Sequence, residues 1–170
     1  LTLKKKDKLK ELSKDNLFSE EYLTILLREL NSIQVKPNKI NDFIGISSYT
    51  ISKLEKGGIK DTLKLFDKVR TIKSRKELAN KTGINEDEIL EITKLCDLSR
   101  IKWVGATFAR VLYETGYDSL EKVSKANYEE LHKAIVDLNK EKKLYQGHIG
   151  LNDMKICVMA ANEVPLEIEY

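Results

Sequence analysis

A segment of this chain recurs in altered form 58 positions later. Residues 40–59 read INDFIGISSYTISKLEKGGI, and residues 98–117 read LSRIKWVGATFARVLYETGY. An ungapped alignment pairs apolar residues with apolar residues and one glycine with another: Ile40 with Leu98, Phe43 with Ile101, Ile46 with Val104, Ile51 with Ala109, Leu54 with Leu112 and Gly58 with Gly116. Two copies are too few for a solenoid. They indicate a duplicated small unit whose halves pack on each other.

Each copy has the pattern of a tight turn followed by an amphipathic helix that ends at a glycine. The turn is Gly45-Ile46-Ser47 in the first copy and Trp103-Val104-Gly105 in the second. A glycine in such a turn permits positive φ and close approach of the backbone. Gly58 and Gly116 stand where a helix C-cap is expected. New helices are then predicted, because Asp, Ser and Thr, which are favoured N-cap residues, follow each glycine.

At these residues the chain resembles the helix-hairpin-helix family, whose domains carry a Gly-hydrophobic-Gly hairpin between two short helices. The resemblance covers roughly residues 36–150, and its second half is also similar to a tandem helix-hairpin-helix family with no assigned function. The resemblance implies that hairpin amides hold a nucleic-acid phosphate, supported by nearby Lys or Arg residues. Each copy departs from the pattern at one glycine, with Ser47 in the first copy and Trp103 in the second.

Composition and periodicity predict an all-α fold. The chain has 170 residues, enough for one ordinary domain or two small units, with 41% hydrophobic and 34% charged residues. Leu, Lys, Glu and Ile form stripes of helical period, and strand-like alternation is scarce. With the resemblance, we expect tandem helix-hairpin-helix (SAM-like) units under an N-terminal covering helix. The predicted boundaries are 1–35 for a basic helical extension, 36–84 for the first unit, and 85–170 for the second unit with its C-terminal helix.

Local signals place several helix ends. Residues 3–16 are lysine-rich and predict a surface helix, and Ser19 opens a stronger helix with a dense leucine face that would cover the tandem unit. Asn85 followed by Glu88 is typical of a capping box. The tail LEIEY, after Pro165, is predicted to be disordered or to lie across the surface.

The charge is unevenly distributed along the chain. Residues 1–84 hold 19 Lys and Arg against 11 Asp and Glu, whereas residues 85–170 hold 11 against 16. A polyanion would therefore prefer the first half, because phosphate neutralisation supplies most of non-specific affinity. The acidic second half would repel a polyanion or face a protein.

Nothing in the sequence indicates a membrane or secreted protein. No apolar stretch approaches the roughly 20 residues of a membrane helix, and the lysine-rich start is not followed by an apolar segment. Cys96 and Cys157 are far apart and form no Cys-x-x-Cys pair. Free buried thiols in a reducing cytoplasm are the expected state. We therefore expect a cytoplasmic protein.

The first turn is the leading candidate for a phosphate site. Main-chain amides above a helix N-terminus form an anion-binding nest when they point outward. Hydroxyls would add donors, and lysines on or after the following helix would meet neighbouring phosphates. The predicted contacts are Gly45, Ile46, Ser47, Ser48, Thr50, Lys53, Lys56 and Lys60. The alternative is a hairpin that only joins two packed helices.

The second turn offers the equivalent set with fewer cations. Its predicted contacts are Lys102, Val104, Gly105, Thr107 and Arg110, with the Ala106 amide and Arg100 nearby. The sole tryptophan, Trp103, would stack on a base or sugar. The favoured alternative is a partly buried core aromatic that fills the space left open by a glycine.

No catalytic or metal-binding constellation is predicted. His132 and His148 have no partner at metal-ligand spacing, and the chain contains no Walker-type loop, Gly-x-Gly-x-x-Gly or Gly-x-Ser-x-Gly. The acidic run around Glu86 and Asp87 is typical of a solvated helix face. We expect no enzyme activity, cofactor, metal or small-molecule substrate.

The sequence therefore predicts binding of DNA or RNA through backbone phosphates, without base readout. A second hypothesis is a protein-interaction module that keeps the scaffold without nucleic-acid affinity, since fold alone does not fix function. Its surface would be the acidic second half with Trp103. A third is an accessory domain of a larger nucleic-acid enzyme, which a first residue other than methionine leaves open.

Overall fold

The structure is a computed structural model that describes residues 18, 19, 22, 23, 26 and 36–170. The chain divides into two compact units, residues 1–36 and 37–170. In the first unit, Tyr22, Leu23 and Leu26 are helical. The Ser19 hydroxyl accepts a hydrogen bond from the Tyr22 amide at 3.1 Å, which makes Ser19 the helix cap that its type predicts. The predicted basic helix over 3–16 and most of the covering helix lie outside the described residues.

The second unit is built from helices throughout residues 37–170, with no strand. A short 3-10 turn, Ile40–Asp42, precedes eight α-helices. They are α1 (Ser48–Lys56), α2 (Thr62–Val69), α3 (Ile72–Thr82), α4 (Glu86–Leu98), α5 (Ala106–Glu114), α6 (Leu120–Ser124), α7 (Tyr128–Lys142) and α8 (Leu151–Asn162). For this part of the chain, the prediction of an all-α fold is confirmed.

Two apolar cores share one helix. The first core lies among α1 to α4, and the second among α4 to α8. Ile89 and Ile92 of α4 point into the first core, and Leu95 and Leu98 into the second. Ile46, in the first turn, packs against both cores. The helix that leads into the second turn is therefore also a wall of the first core, so the two turns are held on one rigid frame.

The predicted capping box at the start of α4 does not form. The Asn85 side chain caps the helix by accepting from the Asp87 amide at 2.7 Å. Glu88 does not reach back to the Asn85 amide, and its carboxylate instead contacts Ser47 and Thr50. A residue that local sequence assigns to its own helix therefore serves a neighbouring helix.

The C-terminal tail lies across the surface of this unit. Glu167 pairs with Arg70 at 3.3 Å and with Arg100 at 2.6 Å. The Tyr170 hydroxyl donates a hydrogen bond to the buried Asp97 carboxylate at 2.8 Å. Burial, and then the Asp97 charge, raise the pKa of Tyr170 above its usual range. Of the two predicted arrangements of the tail, the structure shows the ordered one.

Candidate functional site

The two turns share a left-handed residue at the equivalent position. Gly45 has φ +87° and Trp103 has φ +70°, so both lie in the left-handed region. Gly58 and Gly116, after the following helices, have φ +81° and +86°. Helices α1 and α5 each contain nine residues and begin at residues 48 and 106. The side chains around the two turns nevertheless differ in ways that decide what each turn can bind.

The first turn leaves its main-chain donors free. Gly45, Ser47 and Ser48 are exposed, and the amides of residues 45–48 donate no hydrogen bond within the described part of the chain. The Ser47 hydroxyl caps α1 by accepting from the Thr50 amide at 3.1 Å. This is the open helix N-terminus that an anion site requires.

A carboxylate already lies beside this N-terminus. The Thr50 hydroxyl donates to Glu88 at 2.9 Å, and the Ser47 hydroxyl lies 3.4 Å from the same carboxylate. The hydroxyls of Ser47 and Thr50, which were predicted to meet phosphate, therefore face a fixed negative charge. Because Glu88 lies in the first turn of α4 and beside the start of α1, it interacts favourably with both helix dipoles. The same charge opposes an incoming phosphate.

The predicted lysines lie at the far end of α1. Lys53 and Lys56 are in its last turn, and Lys60 follows it. Eight residues of helix span about 12 Å, so Lys56 and the Ser48 amide could not hold the same phosphate. Lys56 and Lys60 are exposed, and the Lys53 ammonium lies 5.3 Å from the centre of the Tyr49 ring. These cations would meet phosphates farther along a backbone.

Arg110 lies beneath the first turn and is not available to a phosphate. Its side chain is only 5% exposed. Its Nε donates to the Ile44 carbonyl at 2.6 Å, and its Nη1 donates to Glu91 at 2.6 Å. The Nη2 atom is buried without a hydrogen-bond partner in the described structure. A Cβ placed on Gly45 would lie 3.1 Å from this nitrogen. Arg110, predicted as a phosphate contact of the second turn, instead fixes the backbone of the first.

The second turn is uncapped by any side chain. Gly105 occupies the N-cap position of α5 and makes no side-chain cap. The amides of Gly105, Ala106 and Thr107 donate no hydrogen bond to any described residue. The Val104 amide, by contrast, donates to the Ile101 carbonyl at 3.0 Å, which removes it from the predicted set of phosphate donors.

Trp103 is exposed, and the favoured expectation of a partly buried core aromatic is wrong. Its exposed fraction is 65%. The Lys102 ammonium lies 4.3 Å from the centre of the ring system, a cation–π contact. The indole therefore does not fill the space that a glycine would leave open.

A cleft of about 610 Å³ opens beside the second turn. Sequence reasoning missed it, because its walls come from segments about 40 residues or more apart. Its lining includes the second turn, the loop before α8, and the first turns of α8: Trp103, Gly105, Thr107, Phe108, Tyr145, His148, Ile149, Asp153, Met154 and Cys157. Burial raises the pKa of the Cys157 thiol to about 11.

The loop that forms one wall of the cleft is held by side chains of α7 and α8. The Asn139 amide group donates to the Tyr145 carbonyl at 2.7 Å and accepts from the Tyr145 amide at 2.8 Å. His132 Nε2 lies 3.0 Å from the Ile149 carbonyl oxygen, so the ring acts as a donor there. Gly150 donates its amide to Asp153 at 2.8 Å. The cleft is therefore largely preformed.

A comparison with protein families matches residues 44–163, which include both turns and most of the cleft lining, to one family. The chain belongs to the family described as Domain of unknown function (DUF4332). No curated protein and no solved structure matches the chain. The DUF4332 segment spans helices α1 to α8, so the family corresponds to the helical frame described above.

Two further features concern the described part of the DUF4332 chain. No helix within the described residues is long and apolar enough to cross a membrane. In the same residues, no group of three or more His, Cys, Asp or Glu side chains is placed to hold a metal ion. The acidic residues at the start of α4 therefore do not converge on a common point.

Proposed function

We propose that residues 36–150 form two helix-hairpin-helix motifs in tandem and that the protein binds DNA or RNA through backbone phosphates, without catalysis. The matching φ values at residues 45 and 103 support the tandem arrangement, as do the equal lengths of α1 and α5. The caps of the next helices, Asp61 and Ser119, stand at equivalent positions as well. A cytoplasmic location agrees with two free, buried thiols.

The observation that carries the proposal is the open N-terminus of α5. Three consecutive amides, from Gly105 to Thr107, have no partner within the described residues, and they lie next to an exposed indole and the Lys102 ammonium. Helix N-termini attract phosphate through these amides and through the helix dipole. The proposal therefore gives the second turn the primary phosphate contact and the lysines of the first half a supporting role.

The first turn contributes less direct binding. Its amides also have no partner within the described residues, yet the Glu88 carboxylate lies within hydrogen-bond reach of the Ser47 and Thr50 hydroxyls. Lys53, Lys56 and Lys60 lie at the opposite end of α1. They would raise affinity by releasing counterions from the nucleic-acid backbone, an effect that does not depend on the nucleotide sequence.

The experiment is binding of a random-sequence duplex across a salt series of roughly 50 to 200 mM. We expect affinity to fall steeply as salt rises. Replacing Lys53, Lys56 and Lys60 with Glu should lower the affinity about tenfold or more and flatten the salt slope by about one unit per lost phosphate contact. A matched triple replacement of Lys125, Lys133 and Lys140, which are exposed in the second half, changes the net charge equally.

The two triple variants distinguish binding at Lys53, Lys56 and Lys60 from attraction by net charge alone. If both lose the same affinity, binding depends on net charge alone and the assigned lysines have no special place. If neither the wild type nor any variant binds the duplex or a single strand of the same length at low salt, the proposed function is wrong.

A second candidate is a protein-interaction module, and one observation favours it. Ile44 is 44% exposed and Tyr49 is 53% exposed beside a first turn that a carboxylate blocks. Exposed apolar side chains around a turn that does not bind phosphate are typical of a protein-binding surface. Retention on a protein partner, with none on heparin or DNA, would decide for this candidate.

A further inference from the structure

We infer that the cleft beside the second turn receives an unpaired nucleobase, which stacks on Trp103, so that the protein prefers a single strand to a continuous duplex. This inference rests on the proposed function, because the phosphate of the same nucleotide would bind the α5 amides. It assigns a substrate class that phosphate contacts alone do not distinguish.

Core packing does not explain the presence of Trp103 at this position. Its backbone has φ +70°, a conformation that disfavours every side chain and that glycine adopts freely at the equivalent position, Gly45. The residue is 65% exposed, so core contacts do not offset the strain. An exposed aromatic ring beside a concave surface is the usual platform for an unstacked base. Lys102 lies over the ring, and a base would stack on the opposite face.

The cleft has the size and lining that a base requires. Its volume of about 610 Å³ lies within the range of small-ligand sites, about 300–1,000 Å³. Phe108 and Tyr145 meet edge to face with ring centres 5.7 Å apart and form an aromatic wall. A stacked base pair inside a duplex cannot enter such a pocket, whereas a base at a single-stranded position can be turned into it.

The charges in the cleft favour a base inside and a phosphate at the mouth. Asp42 and Asp153 contribute to its lining, and Asp153 already accepts the Gly150 amide. Carboxylates repel phosphate but accept hydrogen bonds from the exocyclic amino groups of adenine, cytosine and guanine. The amides at the start of α5, which also line the cleft, supply the donors for the phosphate. One nucleotide would thus satisfy both parts of the site.

The test uses the intrinsic fluorescence of Trp103, the sole tryptophan of the chain. The probes are a deoxyadenosine strand of about 12 nucleotides, which matches the usual site sizes, and the blunt duplex of the same length. We expect the single strand to quench the emission and the duplex to leave it nearly unchanged. The single strand should bind about tenfold more tightly at equal salt, since one base stack corresponds to between fivefold and a hundredfold in affinity.

Two variants, measured by the anisotropy of a labelled strand, complete the design. Trp103→Gly keeps the left-handed turn and should abolish the preference for the single strand. Tyr49→Ala removes another exposed aromatic, from α1, and should keep the preference. Circular dichroism confirms that both variants are folded.

The outcomes separate this inference from the proposed function. Equal affinity for the two probes with unchanged emission would refute the base pocket while leaving phosphate binding intact. A Trp103→Gly variant that keeps the full single-strand preference would also refute it. Absence of binding to either probe would remove both the proposed function and the inference.

Discussion

The contact between Arg110 and Gly45 predicts a specific loss of stability on adding one methyl group. Gly45→Ala places a Cβ 3.1 Å from Arg110 Nη2 and 3.2 Å from Cζ, closer than ordinary van der Waals contact. The guanidinium cannot easily move, because Nε is bound to the Ile44 carbonyl and Nη1 to Glu91, each at 2.6 Å. The substitution must therefore either weaken these buried bonds or shift the turn.

The magnitude follows from three terms. A left-handed φ costs a non-glycine residue about 1–2 kcal/mol, and the loss of glycine's unfolded-state freedom returns about 0.4–1 kcal/mol. Gly58→Ala is the matched control, since its φ of +81° is similar and nothing lies within 4 Å of its Cβ position. It should cost about 0.5–1 kcal/mol. Gly45→Ala adds a weakened charge-assisted hydrogen bond of about 1.5–3 kcal/mol, for a total of about 2–4 kcal/mol.

Urea denaturation of both variants measures the difference in unfolding free energy, provided that the m-values agree. A double-mutant cycle with Arg110→Ala then isolates the contact between Arg110 and residue 45. In the Arg110→Ala background, Gly45→Ala should lower the free energy of unfolding by no more than Gly58→Ala does in the wild type. If Gly45→Ala and Gly58→Ala cost the same in the wild type, Arg110 does not constrain the first turn and the reasoning is wrong.

Two further predictions concern Glu88 and the C-terminal tail. Glu88→Gln keeps an acceptor for Thr50 but removes the negative charge beside α1, so duplex affinity should rise about two- to fivefold. Glu86→Gln is the control, because it removes an exposed charge from the same helix turn. It should change the duplex affinity less in the same titration. Tyr170 donates to buried Asp97, and burial raises its pKa. Tyr170 therefore contributes fully to the free energy of unfolding below the pKa of an unfolded tyrosine, about 10. This contribution is lost as pH rises above that value. Urea titrations between pH 8 and 11 should show a smaller decline for Tyr170→Phe than for the wild type, and equal declines would contradict the assignment.

Local pattern was sufficient to predict the helical elements. Ile40, Leu54, Leu98 and Leu112, four of the residues aligned in the two segments, are fully buried, because a stripe of apolar residues at helical period must face a core in any helical fold. The glycine after each repeated helix was predictable for a similar reason. Gly58 and Gly116 both adopt the left-handed conformation that ends a helix.

The chemistry of the two turns was not predictable, because it depends on contacts between distant segments. Arg110 meets the Ile44 carbonyl across 66 positions, and nothing near Arg110 in the sequence distinguishes a buried guanidinium from a surface one. Trp103 was expected in the core on the basis of its type. The direction of a side chain depends on the main-chain conformation of its residue. The residue type tryptophan does not predict a left-handed main chain.

Glu88 shows how a local signal can be satisfied by a different partner. Its position, three residues after a helix cap, favours a capping box. Its interaction with the α4 dipole is the same whether its carboxylate accepts a hydrogen bond from the Asn85 amide or from another donor. Thr50 and Ser47 lie 38 and 41 positions away in sequence, yet the shared core of α4 brings them within reach. The carboxylate then neutralises the positive end of α1, where the first turn would otherwise attract phosphate. The second turn has no equivalent, since Gly105 offers no side chain and no carboxylate contacts the α5 amides in the described structure. The Glu88 contact thus distinguishes the two proposed anion sites, although both turns hold a left-handed residue at the equivalent position.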